Sequence, residues 1–242
     1  MSNQMLNCLD SKNKYIFNLK YDKSNIDLIT IINVLKQNGI VVFKNYYSKE
    51  EVVSMKEEIK KFDEKFVKTK NVENCSGDFR LFHVEKESTL LRKLISENEL
   101  FNKIASFYKD PRYFNKKLLL NKLVYDADNI TSSGGGWHRD NHNCQFKTLI
   151  YMSDVRLENG NFQFIVNSSI KDIGIPPHWS YNDTRYADET IDDLLRDNTN
   201  DCKLYDIIGE AGTVVFFDAT NIHRGKVIEE GERLALTQYY FT

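Results

Sequence analysis

From residue 118 to residue 241 the chain is cut into short apolar runs, and no other feature constrains its fold as much. The runs are Leu118–Tyr125, Phe146–Met152, Phe162–Val166, Thr213–Phe217 and Leu234–Phe241. They are rich in β-branched and aromatic residues. Turn pairs such as Asn159-Gly160 and Gly209-Glu210 separate them. Short strands punctuated by turns pack as an antiparallel sandwich or barrel. One longer polar stretch, about 170–203, interrupts the series with Pro176-Pro177, Trp179 and a helical pattern near Asp188–Arg196. An insert of that length in a β unit is more often functional than idle, so it reads as a lid-like insert, with an ordered surface loop as the alternative.

The first 115 residues have a different texture. Gly39–Phe43 is a short buried strand by its β-branched run. Ser48-Lys-Glu-Glu51 is a capping box opening an amphipathic helix with Val52, Val53, Met55, Ile59 and Phe62 on its apolar positions. Leu90–Ile95 and Leu100–Tyr108 read as two more helices, stopped by Asp110-Pro111. No linker composition appears anywhere. The expected architecture is a single domain over 1–242, mainly β with flanking helices: a helical support region over about 1–115 and a β core over about 116–242.

Composition limits the partners. The chain has 242 residues, with Lys+Arg 33 against Asp+Glu 35 and a net charge of -2. A nucleic-acid or membrane-surface binder would show a basic excess, so a small-molecule partner is expected. Cys8, Cys75, Cys144 and Cys202 form no C-x-x-C pair and read as thiols of a reducing compartment. Residues 1–20 hold no apolar signal-peptide core, and no run reaches the roughly 20 apolar residues of a membrane helix. A soluble, cytoplasmic protein is the expectation.

Two segments carry chemistry. The first is Gly134-Gly-Gly-Trp-His138-Arg-Asp140. Three glycines cannot sustain a helix or strand interior, but they let the backbone turn tightly. His138 and Asp140 follow two apart, so on extended backbone they project from one face. The second is Gly212-Thr-Val-Val-Phe-Phe217, a strand leading through a turn to His223, with Arg233 ten residues later. Two histidines and a carboxylate form the facial triad of non-haem Fe(II) oxygenases, which leaves one face of the octahedron open. An enzyme of that kind using 2-oxoglutarate also needs a cation for the distal carboxylate, and the planar fork of arginine suits it.

These segments resemble the phytanoyl-CoA dioxygenase-like branch of the Fe(II)/2-oxoglutarate oxygenases. The likeness runs from about Leu118 to Thr242. It rests on Trp-His138-Arg-Asp140, Ile150–Asp154, Glu158–Val166, Gly212–Phe217 and His223-Arg-Gly225 through Arg233–Leu236. Asn167-Ser168-Ser169 stands where many relatives have Pro-Gly-Ser-His. The resemblance implies a double-stranded β-helix (jelly-roll, cupin-like) core with iron at one open end. It implies His138, Asp140 and His223 as metal ligands and Arg233 as the 2-oxoglutarate anchor. The cofactor set is Fe(II), 2-oxoglutarate and O2. The implied reaction hydroxylates an aliphatic C–H and releases succinate and CO2. Halogenases of this class lack the carboxylate ligand, so Asp140 argues for hydroxylation, or a related desaturation or ring closure, over halogenation.

Further residues are weaker candidates. Lys147 shares a strand face with Leu149 and Tyr151 and could add charge for 2-oxoglutarate. Asn121 and Tyr125 share a face of the preceding strand and could touch the co-substrate. Trp137 either walls the pocket or packs behind it. His142 is assigned to the pocket or surface, because a fourth ligand would close an open position. His178, Trp179 and Arg185, with Tyr181 and Tyr186, could line a substrate lid. Arg224 is the alternative anchor, while Arg80 and His83, in a run that reads as a strand, could line the mouth or belong to core or surface. Two other readings remain at this level: a cupin-like metalloenzyme without 2-oxoglutarate, and a non-catalytic jelly-roll binding module.

Overall fold

Ten-residue strands are uncommon in a chain of short runs, and the two present here organise everything else. In a computed structural model, which describes residues 14–62, 72–75, 77–107, 115–127, 136–140, 145–173, 184–197 and 201–241, these are β5 (Asn115–Val124) and β13 (Glu232–Phe241). They pair antiparallel along their whole length, from Asn115 opposite Phe241 to Val124 opposite Glu232. Around them assemble β1 (Ile16–Asn18), β2 (Ile40–Lys44), β3 (Val72–Cys75), β4 (Asp78–Phe82), β7 (Phe146–Tyr151) and β11 (Val214–Asp218). The eight-stranded sheet has the order β1-β2-β11-β7-β13-β5-β4-β3. A second sheet of five strands runs β10-β8-β12-β6-β9, built from β6 (Trp137–His138), β8 (Phe162–Val166), β9 (Arg185–Tyr186), β10 (Lys203–Ile207) and β12 (His223–Gly225).

Two sheets with a jelly-roll crossing order match the expected fold class. The N-terminal region gives more than helices, since β1, β2, β3 and β4 all belong to the larger sheet. Helices 28–38, 49–60 and 99–106 form a supporting layer, and Ile31, Leu35, Met55, Ile59, Phe101 and Ile104 are fully or almost fully buried in the core. Their ends follow the local rules. Asp27 caps the first, accepting from the Ile29 and Thr30 amides. Ser48 and Glu51 close a reciprocal capping box on the second. Gly39 ends the first helix in the left-handed region at φ 70°.

β7 and β11 are sandwiched between this layer and the interior, and so all six residues of β7 are buried. That covered sheet is the rigid wall against which the smaller sheet holds its histidines. The insert contributes β9 at the edge of the smaller sheet and a helix over Asp188–Asp197. Its stretch 174–183, with Pro176, Pro177, His178, Trp179 and Tyr181, lies outside the described residues, as does His142. Among the described residues, no helix is long and apolar enough to cross a membrane.

Candidate metal centre

His138 and His223 stand directly opposite each other on neighbouring strands of the smaller sheet, β6 and β12. Their ring centroids are 4.5 Å apart. Asp140 follows two residues after His138, held where its amide donates to the Ala219 carbonyl at 3.1 Å. Its Oδ1 lies 3.8 Å from His138 Nε2, and its Oδ2 lies 3.6 Å from His223 Nε2. One ligand atom from each of the three residues falls within 4.8 Å of the others.

The backbone fixes which ring nitrogens face inward. His138 Nδ1 donates to the Gly136 carbonyl at 2.8 Å, and His223 Nδ1 donates to the Asn221 carbonyl at 2.8 Å. A carbonyl can only accept, so Nδ1 carries the proton and each Nε2 offers a lone pair to the centre. Burial and the neighbouring His138 push the His223 imidazole down to about 3. Burial likewise lowers His138 against the pull of the Gly136 carbonyl and Asp140. Both rings are therefore neutral near pH 7, as metal ligation requires. Burial opposes ionisation of Asp140, but Lys147 and the two histidines outweigh it and hold the carboxyl below its ordinary value. Lys147 Nζ pairs with Asp140 Oδ2 at 2.5 Å and occupies that oxygen. Two inward Nε2 lone pairs and an ionised carboxylate with Oδ1 facing the His138 imidazole fit a divalent cation.

These groups open on a cavity of about 280 Å³. Leu119, Leu149, Phe162 and Phe217 make part of its wall apolar, while Asn121, Arg185 and Arg233 bring polar groups to it. Arg233 is buried on β13. It donates through Nη1 to the Gly160 carbonyl and through Nη2 to Asn121 Oδ1 at 2.8 Å. Its Nε finds no partner. Asn121 in turn contacts Asp78, which also pairs with Arg80 at 2.6 Å.

The structure thus brings His138, Asp140, His223, Lys147, Asn121, Arg185 and Arg233 around one cavity. It does not bring Tyr125, because β5 ends at Val124 and the Tyr125 side chain is 44% exposed. Nor does Trp137 line the cavity. It packs on the other face of β6 with Ile165, Ile191, Cys202 and Ile222, under the Arg224 guanidinium at 4.1 Å. Arg224 is committed to Gln163 and Asp188. His83 bonds Glu85 away from the cavity, whereas Arg80 lines it. Sequence reasoning missed Thr237 and Tyr239, which share the cavity face of β13 with Arg233. The period-2 rule applied from Arg233 would have found them. It also missed Ser168. Ser168 Oγ accepts from the Ile222 amide at 2.8 Å, its amide donates to Asn221 Oδ1, and its carbonyl accepts from Arg139.

The profile of the phytanoyl-CoA dioxygenase family (PhyH) matches residues 35–228. The chain belongs to that family. It carries with it the family's cofactor set of Fe(II), 2-oxoglutarate and O2. No curated protein is a significant match in sequence. Among solved structures, the fold is similar to the non-heme alpha-ketoglutarate-dependent epimerase SnoN from nogalamycin biosynthesis. The TM-score is 0.66 at 13% identity, over 88% of this chain and 82% of that one. EctD from S. alaskensis gives 0.67 at 15% identity, over 90% and 78%. HygX from Streptomyces hygroscopicus, crystallised with nickel, 2-oxoglutarate and hygromycin B, gives 0.56 at 15%, over 86% and 85%. At these identities the likeness speaks for a shared fold and no more.

Proposed function

We propose that this family member hydroxylates an aliphatic C–H of a small-molecule substrate. One observation carries the reading: the His138, Asp140 and His223 cluster opens on a cavity that the buried Arg233 also lines. Bound iron, with 2-oxoglutarate and O2, supplies the oxidising power and yields succinate and CO2. Everything else is done by the chain. His138 and His223 present neutral Nε2 atoms, with their rings fixed through Nδ1. Arg233 spends two of its five N–H groups on Gly160 and Asn121, which pins the guanidinium and leaves Nε–H and one further N–H on each Nη for a carboxylate. Leu149, Phe162 and Phe217 keep water from the space between. Asp140 keeps the ligand set at two imidazoles and a carboxylate, which supports oxygen transfer over halogenation.

Similar folds include an epimerase and a carbocyclase, SnoN and SnoK of nogalamycin biosynthesis. The test therefore has two stages. Under anaerobic conditions, Fe(II) and then 2-oxoglutarate are added, and the visible charge-transfer band is followed. The band is expected with the natural chain and not with His138→Ala. Metabolite mixtures are then screened for succinate formation under isotope-labelled O2. A product one labelled oxygen heavier supports hydroxylation. A product two hydrogens lighter, or an isomer, replaces it with desaturation, ring closure or epimerisation. Iron binding without a band would favour a cupin-like enzyme that does not use 2-oxoglutarate. The unpaired buried thiol of Cys202 supports a cytoplasmic setting.

A further inference from the structure

We propose that Lys147 is a positioning residue of the metal centre: its ammonium claims one oxygen of Asp140 and limits that carboxylate to a single bond with the metal. The inference rests on the metal reading above.

β7 places Lys147 on the cavity face, opposite Tyr239 on β13. Its side chain is 7% exposed, with Nζ 2.5 Å from Asp140 Oδ2 and 4.2 Å from the Tyr239 ring centroid. A lysine buried this deeply is costly without an anion beside it. Asp140 is the one carboxylate among the described residues lining this cavity. Arg233 lies six residues from Tyr239 along β13, about 20 Å between Cα positions at strand rise. Lys147 therefore serves the metal end of the cavity rather than sharing a carboxylate with Arg233.

Asp140 turns both oxygens toward the imidazoles, Oδ1 toward His138 and Oδ2 toward His223. Nothing in its orientation alone would stop a metal from being gripped through both. The difference matters in an octahedral site. Three single bonds from protein leave three positions, two for a chelating co-substrate and one for O2. A carboxylate bound through both oxygens leaves only two, and the co-substrate would then exclude O2. The ammonium on Oδ2 stabilises the charge of that oxygen and repels a dication approaching it. Oδ1 is left to bind the metal.

The test uses Mn(II) alone as the probe. The natural chain, Lys147→Arg, Lys147→Met and Lys147→Leu are loaded, and metal-bound waters are counted by water-proton relaxation before 2-oxoglutarate is added. The natural chain and Lys147→Arg are expected to hold three waters, Lys147→Met and Lys147→Leu two. At saturating Mn(II), the two neutral variants should also bind 2-oxoglutarate at least about tenfold more weakly, the lower end for residues that orient ligands. Two neutral variants are made so that a folding failure in one does not remove the test. Three waters in the neutral variants, or two in the natural chain, would overturn the proposal. A residue that only filled space would change the melting temperature and leave the water count alone. If the natural chain binds Mn(II) but not 2-oxoglutarate, the co-substrate reading fails while the water count still decides the role of Lys147. If it binds no Mn(II), both fall.

Discussion

His223 is tuned by what encloses its ring. Phe162 and Phe217 pack at centroid distances of 5.6 and 5.2 Å, and His138 stands beside it. Burial first, then the second imidazole, lower it to about 3. In the unfolded chain the same ring titrates near about 6.5. Between those values the unfolded chain holds a proton that the folded chain does not, so lowering the pH favours unfolding. The metal-free protein should lose stability from this residue as pH falls from about 6.5 toward 3, and His138 adds in the same direction. Melting temperatures across pH with a chelator present check this. His223→Gln should flatten the acid-side slope by about one proton; an unchanged slope would contradict the argument. A second prediction separates the two arginines. Arg233→Lys should raise the 2-oxoglutarate requirement by about tenfold or more, since a point charge cannot replace the bidentate fork. Arg224→Ala should leave it unchanged, because that side chain is spent on Gln163 and Asp188. The pairing of His138 with Asp140 was legible at this scale because the two are neighbours on extended backbone. Which of Arg233 and Arg224 faces the cavity is also a matter of strand alternation, whereas the position of Trp137 is decided by packing across β6 from Ile165 and Ile222.

Elements place the clustered side chains through close backbone approaches as well as through further side chains. Gly39, at the end of helix 28–38, is the clearest case. A Cβ there would sit 2.6 Å from Asn221 Nδ2, and the Asn221 carbonyl is what orients His223. Its φ of 70° adds strain for any L side chain. Gly39→Ala should cost about 1–2 kcal/mol from the backbone alone. It should also weaken Mn(II) binding, whereas Ile104→Val, buried elsewhere in the core, should lower stability without touching the metal. Calorimetry on both variants distinguishes the two effects. The capping box at Ser48, the strand at β2 and the late strands were legible because they follow local rules. β1, β3 and β9 were not read as strands of the sheets, and β4 was read as one only through Arg80 and His83. Each is short and lies at or near a sheet edge, and such strands are defined by the neighbour that pairs with them, as Arg185 is by His138. The sequence therefore makes the N-terminal half look helical although it also widens the larger sheet.

At the scale of the whole molecule, the cavity has two ends carried by different sheets. The smaller sheet supplies both histidines, and the larger supplies Arg233 from β13. No local pattern in the sequence encodes their meeting; it follows from how β6 and β12 close over β7 and β13. That division gives a prediction in two steps. A metal that binds only the folded chain stabilises it by about 2.7 kcal/mol at one hundred times its dissociation constant. For a chain of this length that corresponds to a rise in melting temperature of roughly 5–10 °C. 2-Oxoglutarate should add a second rise only when metal is already present, because its chelating end needs the cation. Mn(II) can stand in for iron so that no turnover intervenes. His223→Ala should lose both rises, since it breaks the metal end. Arg233→Lys should keep the first and lose most of the second, since it breaks only the far end. A second rise in Arg233→Lys as large as in the natural chain would mean that the distal carboxylate is held elsewhere, and the pairing of the two sheets around one co-substrate would have to be abandoned.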